Sequence, residues 1–152
     1  MGYDVYSTHL PALARAVHKL GGPVLELGAG WYSTPMIRAL CDDVTTLENY
    51  GNWVSELSGV CGNSKIIQTQ DFYRDTLPYL KKPWQIVFVD CDTAEQRVWA
   101  VSQLSNTVCI VGHDTENSYW APCLAQFKYV KHWKFQTPHT SYMSNVLDVS
   151  TI

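Results

Sequence analysis

The chain has 152 residues, 46% of them apolar, with six tryptophans and a net charge of −3, which is the size of one domain with a substantial core. So nearly neutral a balance supplies no basic field for nucleic acid or an anionic membrane, and no apolar run approaches the roughly 20 residues of a membrane span. The opening "MGYDVYSTHLP" lacks a secretory pattern, and five scattered cysteines without a C-x-x-C pair read as thiols in a reducing compartment, so a cytoplasmic location is expected.

In chain order, residues 1–20 read as an arm and a first helix. Thr8 is placed to cap that helix and Pro11 is tolerated in its first turn. Leu10, Leu13, Ala14, Val17 and Leu20 recur at helical spacing, and Gly21-Gly22 ends it. Residues 21–152 read as the core of the same domain. "PVLEL" is a short buried strand. Thr34-Pro35 fits an N-cap followed by proline, with Met36, Ile37, Leu40 and Cys41 on the inner face. "DVTTLEN" (43–49) is the second strand, and Trp53, Val54, Leu57 and Val60 mark the helix after it. "KIIQTQ" (65–70) is the third, followed by a helix over 74–81. "WQIVFVD" (84–90) is an unbroken apolar run ending at an aspartate. Thr93 with Gln96 fits a capping box, and Val98, Val101 and Leu104 continue that helix. "TVCIVG" (107–112) is the fifth strand and 118–127 one more helix. "FKYVKHWKFQT" and "SYMSNVLDVS" are two late strands with no helix between them, turning near Pro138.

Five β-α units with apolar strands predict a parallel sheet covered on both faces, closed by an antiparallel hairpin. The expected fold is α/β: a Rossmann-like, doubly wound, mostly parallel seven-stranded sheet. Periodicity leaves the strand order open.

In such sheets ligands sit beyond the carboxyl ends of the strands. The first strand ends at Leu27, so Gly28, Ala29 and Gly30 form the loop there, and Ser33 lies where the following helix offers free N–H groups. Glu48, followed by Asn49, closes the second strand 20 residues after Gly28, where an acid accepts hydrogen bonds from both hydroxyls of a ribose. A nucleoside is implied. It is not a dinucleotide, because Gly28-Ala29-Gly30-Trp31-Tyr32-Ser33 lacks the third glycine and places two bulky rings where a pyrophosphate would lie. Glu26 would repel phosphate but suits an ammonium. Ribose, amino acid and positive charge combine in S-adenosyl-L-methionine.

On these residues the chain resembles the class I S-adenosylmethionine-dependent methyltransferases over roughly residues 20 to 150. "ELGAG" is similar to the family's first motif, Glu48 in "TTLEN" to its ribose acid, and "QTQDFY" to its third motif. The resemblance implies that Asp71, beside Phe72, contacts the adenine amino group. "VFVDCDTAEQRVWAV" followed by "CIVGHDTE" resembles a subgroup reading I-D-G-D-H, a helix, then V-x-H-D. Here Cys91 and Thr93 replace its glycine and histidine, so the subgroup's metal and substrate do not transfer.

Asp90, Asp92, His113 and Asp114 fall at the ends of strands four and five. Asp90, His113 and Asp114 are the candidate catalytic groups, and Asp90 is also placed to contact the cofactor amine. A hydroxyl acceptor needs a base or a metal, and His113 beside Asp114 suits a base. The resemblance to catechol-type O-methyltransferases, which hold a divalent cation at the places of Asp90 and Asp114, leaves such a cation possible, but Thr115 stands where the next ligand would be, with Glu116 or Asn117 as the substitutes. A divalent cation is therefore not favoured and no metal ligand is assigned.

His9, Tyr3 and Tyr6 precede the first helix and are candidates for a lid. Lys128, Lys131 and Lys134 read as a solvated edge strand rather than a nucleic-acid patch, and Trp53 and Trp99 as packing. No (N/D/S)-P-P-(Y/F) signature of base methylation follows strand four. The expected activity is O-methylation of a small molecule or sugar, with a small-molecule acceptor as partner and neither nucleic acid nor membrane. The alternative is a protein that binds S-adenosylmethionine without transferring its methyl group.

Overall fold

The computed structural model describes residues 4–61 and 66–152; Tyr3, and Lys65 at the head of the expected third strand, lie outside them. Seven strands, β1 (Val24–Leu27), β2 (Val44–Glu48), β3 (Ile66–Gln68), β4 (Ile86–Val89), β5 (Cys109–His113), β6 (Tyr129–Trp133) and β7 (Thr140–Ser144), form one sheet in the order β3-β2-β1-β4-β5-β7-β6. The first five run parallel, and β7 is antiparallel to both β5 and β6. The hairpin turns through Pro138, as expected.

Among the described residues, six helices cover the sheet: α1 (Leu10–Leu20), α2 (Ser33–Leu40), α3 (Gly51–Cys61), α4 (Phe72–Leu80), α5 (Ala94–Ser102) and the short α6 (Ala121–Leu124). Successive residues of a strand point to opposite faces. Ile86 and Phe88 of β4 therefore join Leu13, Val17 and Ile37 on the side of α1 and α2, while Val87 and Val89 join Phe72, Val101 and Trp120 on the side of α4, α5 and α6. Burial on both faces explains the unbroken apolar runs of β1, β4 and β5.

Several local expectations are corrected. Thr8 does not cap α1: His9 occupies the cap position without a side-chain cap bond, and Thr8 turns to His113 instead. The buried face of α1 adds Ala12 and Ala16, because the register is set by the sheet beneath. Thr34 lies inside α2, its hydroxyl used on Glu26. Leu40 and Val60 are exposed, at 48% and 60%, and of α3 only Leu57 is buried. The expected helix over 118–127 divides into a 3-10 turn, Ser118–Trp120, and α6. β7 stops at Ser144, and the chain ends in a 3-10 turn, Val149–Thr151. Thr93 caps α5, accepting from the Gln96 N–H at 3.2 Å. β6 is the edge strand, with Lys131 over the Trp133 ring. Among the described residues no helix is long and apolar enough to cross a membrane.

Candidate functional site

The order reverses between β1 and β4, and there the strand ends open a cleft of about 680 Å³. That volume lies within the range of sites that hold a cofactor and a small substrate. Gly28 begins its floor. With φ at +92°, an added Cβ would come within 2.4 Å of the Asp90 carbonyl oxygen, so only glycine lets β1 and β4 exit side by side. Gly28, Ala29, Gly30, Ser33, Glu48 and Asn49 all line the cleft, as do Asp90, His113 and Asp114.

Glu48 is 5% exposed. Its two oxygens accept from the Ala29 and Tyr50 N–H groups, each at 2.7 Å. Burial raises its pKa, and those N–H groups hold it back. A carboxylate has about four lone-pair directions, and with the Asn49 N–H also drawing on it, room for a further donor remains. Glu26 lies beneath this loop rather than in its wall. Fully buried, it accepts from Thr34 at 2.9 Å and Thr46 at 2.8 Å. Thr34 Oγ1 in turn accepts from the Gly30 N–H at 2.9 Å, so the carboxylate braces the loop through one intermediary. Burial pushes the Glu26 pKa up to about 7 against the pull of hydrogen bonds from Ser33, Thr46 and Thr34.

Asp71 and Phe72 stand outside the cleft walls. The Asp71 carboxylate caps α4, accepting from the Arg74 N–H at 3.1 Å, while Asp75 reaches back to the Asp71 N–H at 3.0 Å. Phe72 packs edge-on against Tyr73 and Trp99.

In the same cleft, Arg97 of α5 gathers the acids that follow β4 and β5. Its guanidinium donates to Asp90 at 2.9 Å and to Asp114, and its Nε to the Cys91 carbonyl at 2.6 Å. Burial opposes its charge, but the two aspartates outweigh this and raise its pKa. A guanidinium thus bridges the two carboxylates at which a catechol-type cation was considered. Asp114 holds φ at +57°, a left-handed backbone that Asp tolerates better than most side chains. His113 Nε2 lies 2.9 Å from Thr8 Oγ1, while Nδ1 lies 3.2 Å from Asp90 Oδ2 without a hydrogen bond between them. Burial lowers its pKa, yet Asp90 and Asp114 prevail and raise it. Beside it, His9 is 3% exposed, its ring centroid 4.8 Å from that of His113, and among the described residues neither of its nitrogens has a hydrogen-bond partner. Burial drives its pKa down to about 4.

Sequence reasoning missed Arg97, which sits mid-helix among polar residues and reads as solvated. The usable signal was its position one turn past Thr93, near the strand-end Asp90. It also took Trp53 for packing. Trp53 and Trp31, ring centroids 6.4 Å apart, stand with Tyr32 and Tyr50 on the rim of the cleft. The arm does cover one side: Asp4, Val5, Tyr6 and His9 line the cleft, and the Tyr32 hydroxyl donates to Asp4.

No family model and no curated protein sequence matches this chain. Among solved structures, it is similar to the N-methyltransferase NodS from Bradyrhizobium japonicum (TM-score 0.59, 11% identity, 88% of this chain and 92% of that one). It is similar to an rRNA methylase from Streptococcus thermophilus (0.58, 13%, covering 94% and 96%). It is also similar to the S-adenosylmethionine-bound form of CalS10, an amino pentose methyltransferase from Micromonospora echinaspora (0.51, 12%, covering 73% and 51%). These likenesses establish the Rossmann-like fold that this chain shares with those methyltransferases. The neighbours include methylases named for a sugar and for RNA, so the fold leaves the class of acceptor open.

Proposed function

We propose that the protein is an S-adenosylmethionine-dependent methyltransferase acting on a hydroxyl of a small molecule or sugar. The observation that carries the reading is Glu48: a buried carboxylate that accepts from the glycine loop's Ala29 N–H, in the same cleft as Asp90, His113 and Asp114. Gly28, Ala29, Gly30, Ser33 and Asn49 would surround the nucleoside, with Glu48 on its ribose. Glu26 braces the loop from below. Asp71 is left out of this set because its carboxylate caps α4. Methyl transfer is an in-line displacement at the sulfonium, and holding acceptor and methyl in line can offset about 7–11 kcal/mol of barrier. The acceptor's hydroxyl proton passes to the Asp90–His113 pair. The cleft is a pocket rather than an open basic surface, which supports a small acceptor over a nucleic acid.

Isothermal titration tests the premise. One equivalent of S-adenosylhomocysteine should bind, and Glu48→Gln should weaken it at least tenfold through lost charge-assisted hydrogen bonds. NADH should not bind. Absence of S-adenosylhomocysteine binding by the folded protein would overturn the proposal.

One observation favours a second reading, a binder that does not transfer the methyl group: Arg97 holds both Asp90 and Asp114, and Thr8 holds His113. Turnover with any member of a broad acceptor panel would eliminate it.

A further inference from the structure

His9 poses a problem that the methyl-transfer reading does not solve. A polar group left unpaired in the interior costs about 1–3 kcal/mol, and such groups in a folded protein point to an unseen partner. His9 has two such atoms, and its ring faces His113 across 4.8 Å. The contact between His113 and Asp90 is also incomplete. Nδ1 and Oδ2 are 3.2 Å apart, but an N–H on Nδ1 would not point along a hydrogen bond to that oxygen. The Thr8 hydroxyl donates to the Val5 carbonyl at 3.3 Å, which leaves Nε2 of His113 as the donor to Thr8 and Nδ1 with its lone pair. A lone pair and a carboxylate at that distance can both bind one cation placed beside the line joining them.

We infer that His9, Asp90 and His113 form a binding site for one divalent transition ion of the zinc type. One ligand atom from each lies within 4.8 Å of the others. Two imidazoles and a carboxylate suit zinc, iron or cobalt, whereas magnesium and calcium prefer oxygen donors throughout. Bonds of about 2.0–2.2 Å set tetrahedral ligand atoms about 3.4 Å apart; His113 Nδ1 and Asp90 Oδ2, at 3.2 Å, already meet this, and the His9 ligand atom closes in by up to about 1.4 Å on binding. The supporting contacts fit a metal site. Thr8 fixes the tautomer that exposes Nδ1, and Arg97 holds the other oxygen of Asp90 at 2.9 Å. All three residues line the cleft, so three protein ligands leave an open position for an acceptor oxygen. This donor set differs from the Asp90 and Asp114 pair considered from sequence, because Arg97 takes Asp114.

The test uses the full chain, stripped with a chelator and titrated with Co2+ and Zn2+. We expect one equivalent of either ion to bind, with X-ray absorption of the zinc form showing two imidazoles and oxygen. His9→Ala should weaken binding at least tenfold, whereas His132→Ala should leave it unchanged. Failure to bind, or a spectrum dominated by thiolate sulfur or lacking imidazole, would overturn the inference. The spectrum of the unaltered chain decides even where His9→Ala does not fold. S-adenosylhomocysteine is titrated into the same samples. Nucleoside binding without metal would overturn the metal site alone, and metal binding without nucleoside would uphold it while removing the methyltransferase reading.

Discussion

Glu26 shows how one residue can be found for one reason and kept for another. Its place before the glycine loop suggested a partner for the cofactor's ammonium, yet the side chain turns down to Thr34 and Thr46. The cost of burying it gives a testable pH dependence. With its pKa raised from 4.5 to about 7, the folded protein keeps a proton that the unfolded chain has released. Stability from this group therefore falls as pH rises from about 4.5 to 7 and is constant above, by about 3 kcal/mol. Glu26→Gln keeps an acceptor for both threonines and removes the charge. Urea unfolding should find the variant close to wild type at pH 5 and more stable at pH 8. Equal differences at both pH values would refute the raised pKa. Comparison with wild type cancels His9, whose lowered pKa makes stability fall as pH drops below about 6.5. The residues of the site were partly legible: Gly28, Glu48, Asp90 and His113 stand at the ends of apolar strands, where position alone marks them. Arg97 was not, because what identifies it is burial and it lies in no apolar run; His9 was read only as part of a lid, and its burial beside His113 was not.

At the scale of elements, strands were easier to read than helix ends. "VLEL", "IVFV" and "CIVGH" are buried throughout, and a sheet covered on both faces needs unbroken apolar runs. Helix starts depend on which of several polar side chains turns back to the backbone, and local spacing does not decide that. α4 is the case in point: it begins at Phe72 rather than 74, because Asp71 and Asp75 cap its first turn reciprocally. Asp71→Ala should therefore cost about 1 kcal/mol in thermal or urea unfolding and leave S-adenosylhomocysteine affinity within twofold of wild type. A large loss of affinity with little loss of stability would instead restore Asp71 to the adenine role implied by family resemblance.

For the molecule as a whole, α/β alternation and a terminal hairpin were readable, but the order β3-β2-β1-β4-β5-β7-β6 was not. Order follows from which crossover covers which face, and that is settled by long-range packing between helices and sheet. The same order creates the cleft, since β1 and β4 part their following chains to opposite sides and leave the strand ends open between them. Trp31 and Tyr32 do not close this space; they stand at its rim, 44% and 40% exposed. A crystal structure of the protein with S-adenosylhomocysteine tests the central claim most directly. The ribose hydroxyls should lie within hydrogen-bonding distance of Glu48, with the sulfur directed toward Asp90 and His113. A nucleoside bound away from Glu48, or a cleft that excludes it, would contradict the account.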